Sequence, residues 1–125
     1  MKIKTSELTG IALDWLVAKC EGKVEQGVYG TPELLGSGLH LHYCDVLLSH
    51  PYSPSTDWAE GGPIIESNEI ELKSVEEGVW QASNLFDDME WYHFVGYSPL
   101  EAAMRCLVAY KLGEEVEIPK ELYED

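Results

Sequence analysis

The stretch SPLEAAMRCLVAYKLG, Ser98 to Gly113, narrows the fold more than any other part of the chain. Ser98 can cap a helix by accepting a first-turn N–H, Pro99 suits the first helical position because its missing N–H is not needed there, and Glu101 completes a capping box. Leu100, Ala103, Met104, Leu107 and Val108 recur at the spacing of one helical face, and Gly113 ends the helix. Arg105, the only arginine in the chain, is expected to project to another side. A helix with one apolar stripe must bury it against a second layer, so the rest of the chain has to supply that layer.

Part of that layer is a second helix. TGIALDWLVAKCEG, Thr9 to Gly22, places Leu13, Leu16, Val17 and Cys20 on one stripe, with Thr9 as N-cap, Lys19 in the last turn and Gly22 as the left-handed stop. Trp15 lies off the centre of the stripe and is expected to be buried. Between the two helices the period shortens. Gly38 to Leu48 reads as a strand, with or without a bulge, and Ile70–Leu72, Val79–Ala82 and Trp91–Val95 as further strands, separated by Glu77-Gly78 and Asp87-Asp88. Short strands with short connections pair antiparallel. The expected architecture is therefore α+β: one globular domain over 1–125, a small antiparallel sheet packed against an N-terminal and a C-terminal helix. Past Gly113 a short extended segment leads into an acidic tail, about 114–125, where Pro119 bars further helix.

A chain of 125 residues buries roughly 65% of its unfolded surface and folds without a metal or disulfide. Cys20, Cys44 and Cys106 are odd in number and widely spaced, the pattern of reduced thiols. No apolar run is long enough to span a membrane, and the charged N-terminus has no apolar segment behind it, so a cytoplasmic protein is expected. The net charge of -15 disfavours direct nucleic-acid binding and anionic membranes. It serves solubility, or it forms an acidic surface that competes with nucleic acid for the groove of a basic protein.

Chemistry-bearing patterns are sparse. His40, His42 and Cys44 would share one face of a strand, but structural zinc sites pair two ligand clusters and no second cluster exists, so no metal is assigned. The chain lacks a nucleophile elbow, a zinc-protease helix motif, a P-loop and a dinucleotide fingerprint. Any acid-base pair drawn from 23 carboxylates is uninformative. No enzyme activity and no cofactor are therefore expected.

The most distinctive loop is SPSTDWAEGGPII, Ser53 to Ile65. Ser55 or Thr56 is expected to cap one helical turn through Asp57, Trp58, Ala59 and Glu60. Gly61 would stop that turn with positive φ, and Pro63 would send Gly62 extended and lead Ile64 and Ile65 to the core. What this leaves over is Trp58 beside Asp57: a flat ring next to an acceptor, either anchored in the core or free to stack a ligand. Tyr52, Trp80, Trp91, Tyr92 and Tyr97 add aromatic surface in the same half of the chain.

Three blocks, KTSELTGIALDWLVAKCEG, YSPSTDWAEGGPIIE and SPLEAAMRCLVAYKLGEEVEIP, together resemble the NinX-like family of small phage and prophage proteins. The resemblance implies a non-essential accessory protein that works by binding, blocking a host protein or sequestering a small signalling molecule. In its polar turn followed by Asp-Trp, the second block is similar to phage proteins that sequester nucleotide-derived immune signals. The expected site is a loop binding a small nucleotide-like ligand or a host factor in a counter-defence role. There Asp57 accepts a hydrogen bond, Trp58 stacks, Thr56 and the Gly61 and Gly62 amides approach the ligand, and Arg105 neutralises a phosphate if its helix faces the loop. A homodimer with the site between subunits is a further expectation.

Overall fold

The computed structural model describes residues 2–21, 51–85 and 89–118 in full and, between 22 and 50, only the backbone of four short strands. The chain opens with β1 (Lys2–Lys4), one 3-10 turn (Thr5–Glu7) and α1 (Gly10–Cys20). The short strands β2 (Glu33–Leu35), β3 (Gly38–His40), β4 (His42–Tyr43) and β5 (Val46–Leu47) follow. Next come α2 (Trp58–Asn68), β6 (Glu71–Glu76), β7 (Val79–Leu85) and β8 (Trp91–Gly96), and last α3 (Pro99–Leu112) and β9 (Glu115–Glu117). The fold is α+β with antiparallel pairing throughout, as expected.

The C-terminal helix forms as its caps dictate: Ser98 Oγ accepts the Glu101 N–H at 3.0 Å. Glu101 Oε1 reaches back to the Tyr97 N–H at 2.9 Å, one residue outside the usual capping-box partner, and so ties the end of β8 to the helix start. Close approach here requires Gly96, where a Cβ would lie 2.8 Å from the Ala102 nitrogen. The β6–β7–β8 sheet packs on one side of α3 and α1 packs on another, while α2 touches a third. Every residue from Ala102 to Ala109 is consequently buried.

Arg105 projects to another side of α3 than the Leu100–Val108 stripe, as expected, but that side is buried too. Sandwiched between layers, its guanidinium donates from Nε to Leu8 O at 2.7 Å and from an NH group to Val95 O at 2.7 Å, and lies 3.5 Å from Glu101. It fastens the segment before α1 and strand β8 to α3, meeting carbonyls that would otherwise be buried without donors.

Two pairings escaped the sequence reading. Strand β1 pairs with β9, setting Lys2 opposite Glu117 and Lys4 opposite Glu115, cross-strand partners of opposite charge. Thr5 extends the join, donating from Oγ1 to Gly113 O at 2.6 Å and from its amide to Glu114 O at 2.8 Å. The stretch expected as one strand from Gly38 to Leu48 is divided: β3 pairs with β2, whereas β4 pairs with β5. His40 and His42 thus belong to different ladders, and their side chains, with Cys44, Gly22 and the tail beyond 118, lie outside the described residues. Cys106 is a buried free thiol and Cys20 a half-buried one, each pushed up to about 12 chiefly by burial. Trp15 is half-buried, with the Lys19 ammonium 5.5 Å from its ring centre.

Candidate functional site

The loop at 51–57 and the start of α2 are built differently from the single turn that the sequence implied. Asp57, not Ser55 or Thr56, is the N-cap: its Oδ1 accepts the Ala59 N–H at 3.0 Å. The helix does not stop at Gly61 but runs through Gly62 and Pro63 to Asn68, ending at Glu69 in the left-handed region. A proline here removes one ladder bond and crowds the carbonyl four residues back. Glycine at 62 eases the accommodation, because it offers no Cβ to clash with the proline ring. Ile64 does reach the core, as expected, and Ile65 packs against it, but both do so on a helix.

Three polar contacts pin the loop. Ser53 O accepts the N–H groups of Thr56 and Asp57 at 3.1 and 2.8 Å. Glu60 Oε1 accepts the Ser53 N–H at 2.6 Å, closing a ring around the helix start. Asp14, on α1 and 4% exposed, takes the Ser55 N–H on Oδ1 at 2.8 Å. Burial raises the Asp14 carboxyl to about 6; the Ser55 contacts oppose that shift and the Glu60 charge adds to it. The hydroxyls of Tyr52 and Ser55 are both buried and make no hydrogen bond, the Ser55 hydroxyl lying beside Asp14 without bonding geometry. Burial is also the main reason that the Tyr52 phenol is pushed up, with Glu21, Glu60 and Asp14 adding their charge.

Of the residues proposed for ligand contact, Gly61 is structural. It is buried, its N–H goes to Asp57 O at 2.8 Å, and a Cβ there would lie 2.5 Å from Leu100 Cδ2 and closer still to Pro54 O. Arg105 spends its donors inside the core, as described above. Thr56 is exposed, Asp57 half-buried and Gly62 half-buried. Trp58 stands out: it occupies the first helical position and is 54% exposed, so the ring does not anchor the loop. The anchors are Tyr52, Pro54 and Ser55. Asp14 escaped notice as a member of this constellation, although a carboxylate one residue from Leu13, on a helix that has to be buried, is an anomaly that can be read in sequence. Of the other aromatics, Trp80 and Tyr92 pack against the core, whereas Trp91 and Tyr97 are exposed on or just beyond β8.

Among the described residues no group of three or more His, Cys, Asp or Glu is placed to hold a metal ion, and no helix is long and apolar enough to cross a membrane. The fold and the site define a small α+β protein whose most distinctive loop is pinned from within and presents one outward tryptophan. The sequence model of a family described as that of NinX of bacteriophage P22 matches residues 4–111, and the chain belongs to this family of phage accessory proteins. No curated protein sequence matches it.

Proposed function

We propose that the protein is a non-enzymatic phage accessory factor that binds a host protein in the bacterial cytoplasm, with Trp58 as the anchor of the contact. The observation that carries this reading is the exposure of Trp58 at the start of α2, next to a loop pinned by Asp14 and Glu60. Tryptophan is prominent among residues that dominate binding energy when a partner covers them. The first turn of α2 fixes its backbone, since Asp57 caps that turn and Glu60 closes it on Ser53. A backbone already fixed loses little entropy on binding.

A small nucleotide-like ligand stacking on Trp58 is the second reading. What favours it is Gly62: a Cβ there would come 4.0 Å from Trp58 Cε3, so its absence leaves that side of the ring open. Against it stand Asp57 and Glu60, whose carboxylates repel a phosphate at the helix start. A nucleic-acid mimic calls for carboxylates gathered on one face. Among the described residues, exposed acids such as Glu7, Glu66, Glu71 and Glu115 are spread over four elements, which lends that alternative no support.

Trp58→Ala tests the reading. A host protein retained by the wild type in stoichiometric amount is expected to be lost from the variant and kept by Trp91→Ala, with far-ultraviolet dichroism and urea midpoint unchanged. Isothermal titration with cyclic dinucleotides and ADP-ribose derivatives separates the small-ligand reading. Heat with the wild type that disappears in Trp58→Ala would move the assignment to that ligand; retention of the same host protein by both variants would refute the role of Trp58.

A further inference from the structure

The β6–β7–β8 sheet carries an apolar row on its outer face, along the β8 edge, as well as on the face that packs on the core. Its inner face, with Leu72, Trp80, Ala82 and Phe94, packs on the core. In an antiparallel sheet covered on one face the outward row should be polar. On β8 the outward row is Trp91, His93 and Val95, continued by Tyr97, with exposures of 52% for Trp91, 51% for Val95 and 80% for Tyr97. Leu85, also exposed, is paired with Trp91 across the ladder.

The row is pre-arranged. The His93 ring stacks on Trp91 with centroids 5.9 Å apart and planes 8° from parallel, and Ser83 Oγ lies 2.8 Å from its Nδ1. These apolar and aromatic side chains expose roughly 500 Å² on one copy, at the upper end for the largest patch of a monomer. Two such faces, covered completely, would bury about 1,000 Å² together, the low end for a specific interface.

Charge decides the occupant. Among the described residues of these strands only Glu71, Lys73 and Glu76 put formal charge on the outer face, in a chain that carries -15 overall. A cationic partner would be met by carboxylates, and this face is where they are scarce. A second copy is repelled least there. Glu71 and Lys73, opposite in sign and adjacent on the same face of β6, are moreover complementary to themselves under a twofold.

We propose that this face is an isologous homodimer interface, in which two copies stack outer sheet on outer sheet about a twofold axis. Trp91, Val95 and Tyr97 are buried between them, and Glu71 of each faces Lys73 of the other. The surface is distinct from the first turn of α2 and stands independently of the role given to Trp58.

Sedimentation equilibrium of the full chain, from low micromolar to submillimolar concentration, is expected to show a mass rising from monomer to dimer. Trp91→Glu is expected to raise the dimer dissociation constant at least about 30-fold, the effect of losing one anchor residue. Val95→Lys and Tyr97→Asp, at independent exposed positions, provide the same test should Trp91→Glu disturb the fold. Lys73→Glu should weaken the dimer and Glu71→Lys added to it should restore it. A monomer at every concentration overturns the proposal, as does a monomer whose Trp91 surface binds an oligoarginine peptide. A dimer that survives all three β8 substitutions, or dissolves on Trp58→Ala, places the interface elsewhere and overturns it equally.

Discussion

Replacing Asp14 by asparagine is expected to stabilise the protein at neutral pH and to remove part of its pH dependence. Asp14 lies on α1 with 4% of its surface exposed, and its carboxyl rises from an ordinary 3.8 to about 6, mainly because burial disfavours the charge. A folded pKa above the unfolded one means that the native state binds the proton more tightly. The corresponding stability is fully present below pH 3.8 and is lost as pH rises through about 6. A shift of roughly two units amounts to about 3 kcal/mol at 1.36 kcal/mol per unit, an upper figure for the cost of keeping Asp14 ionised at pH 7. Asparagine keeps an oxygen for the Ser55 N–H, which lies 2.8 Å from Oδ1, and it carries no charge. Its new NH₂ group has an acceptor to hand in the unbonded hydroxyl of Ser55, which lies beside it.

The assay is urea denaturation of wild type and variant over about pH 4 to 8, reading the difference between the two stabilities at each pH. The difference matters because general repulsion among the carboxylates also changes over this range and is shared by both proteins. The difference should be smallest near pH 4 and grow through pH 6 in favour of Asp14→Asn, by about 1–3 kcal/mol at pH 7. Asp14→Ala separates charge from hydrogen bonding. It too sheds the buried charge but leaves the Ser55 N–H without an acceptor, costing about 1–3 kcal/mol relative to asparagine. Parallel stability curves for wild type and Asp14→Asn would refute the argument, since they would mean that the carboxylate titrates as it does in the unfolded chain.

Two further substitutions test the packing. Gly61→Ala adds a methyl against Pro54 O and Leu100 Cδ2; despite the better helix propensity of alanine it is expected to cost about 1–3 kcal/mol in urea unfolding. A stabilised variant would show that α2 can shift away from α3. Arg105→Lys preserves the charge but cannot reach Leu8 O, Val95 O and Glu101 together, and a loss of about 2–4 kcal/mol is expected. An unchanged urea midpoint would remove Arg105 as the clasp between the segment before α1, β8 and α3.

The elements legible in the sequence were those set by local chemistry. Ser98, Pro99 and Glu101 define the start of α3 within four residues of one another, and Gly78, at φ 77°, turns β6 into β7 just where the sequence breaks. What stayed hidden was set at long range. Nothing near Lys2 announces that it lies opposite Glu117, and a three-residue strand carries too little alternation to be read alone. The burial of Arg105 stayed hidden for the same reason: only the joint arrival of Leu8, Val95 and Glu101 around one side chain makes it favourable.

The loop at Ser53–Ile65 shows how local signals can mislead when they compete. Gly61, Gly62 and Pro63 each disfavour a helix, and on propensity alone three such residues in a row would end one. They are tolerated because tertiary packing selects them. Gly61 is needed where α2 crosses closest to Pro54 and Leu100, and Gly62 removes the Cβ that the following proline would strike. Continuing the helix carries Ile64 into the core and brings Asn68 O within 2.6 Å of the Asn84 amide nitrogen, fastening α2 to β7. With both ends of α2 held, its first residue has no structural duty left. Trp58 points outward because Tyr52, Pro54 and Ser55 already anchor the loop, and burying the indole as well would add nothing to an anchor that Asp14 and Glu60 complete.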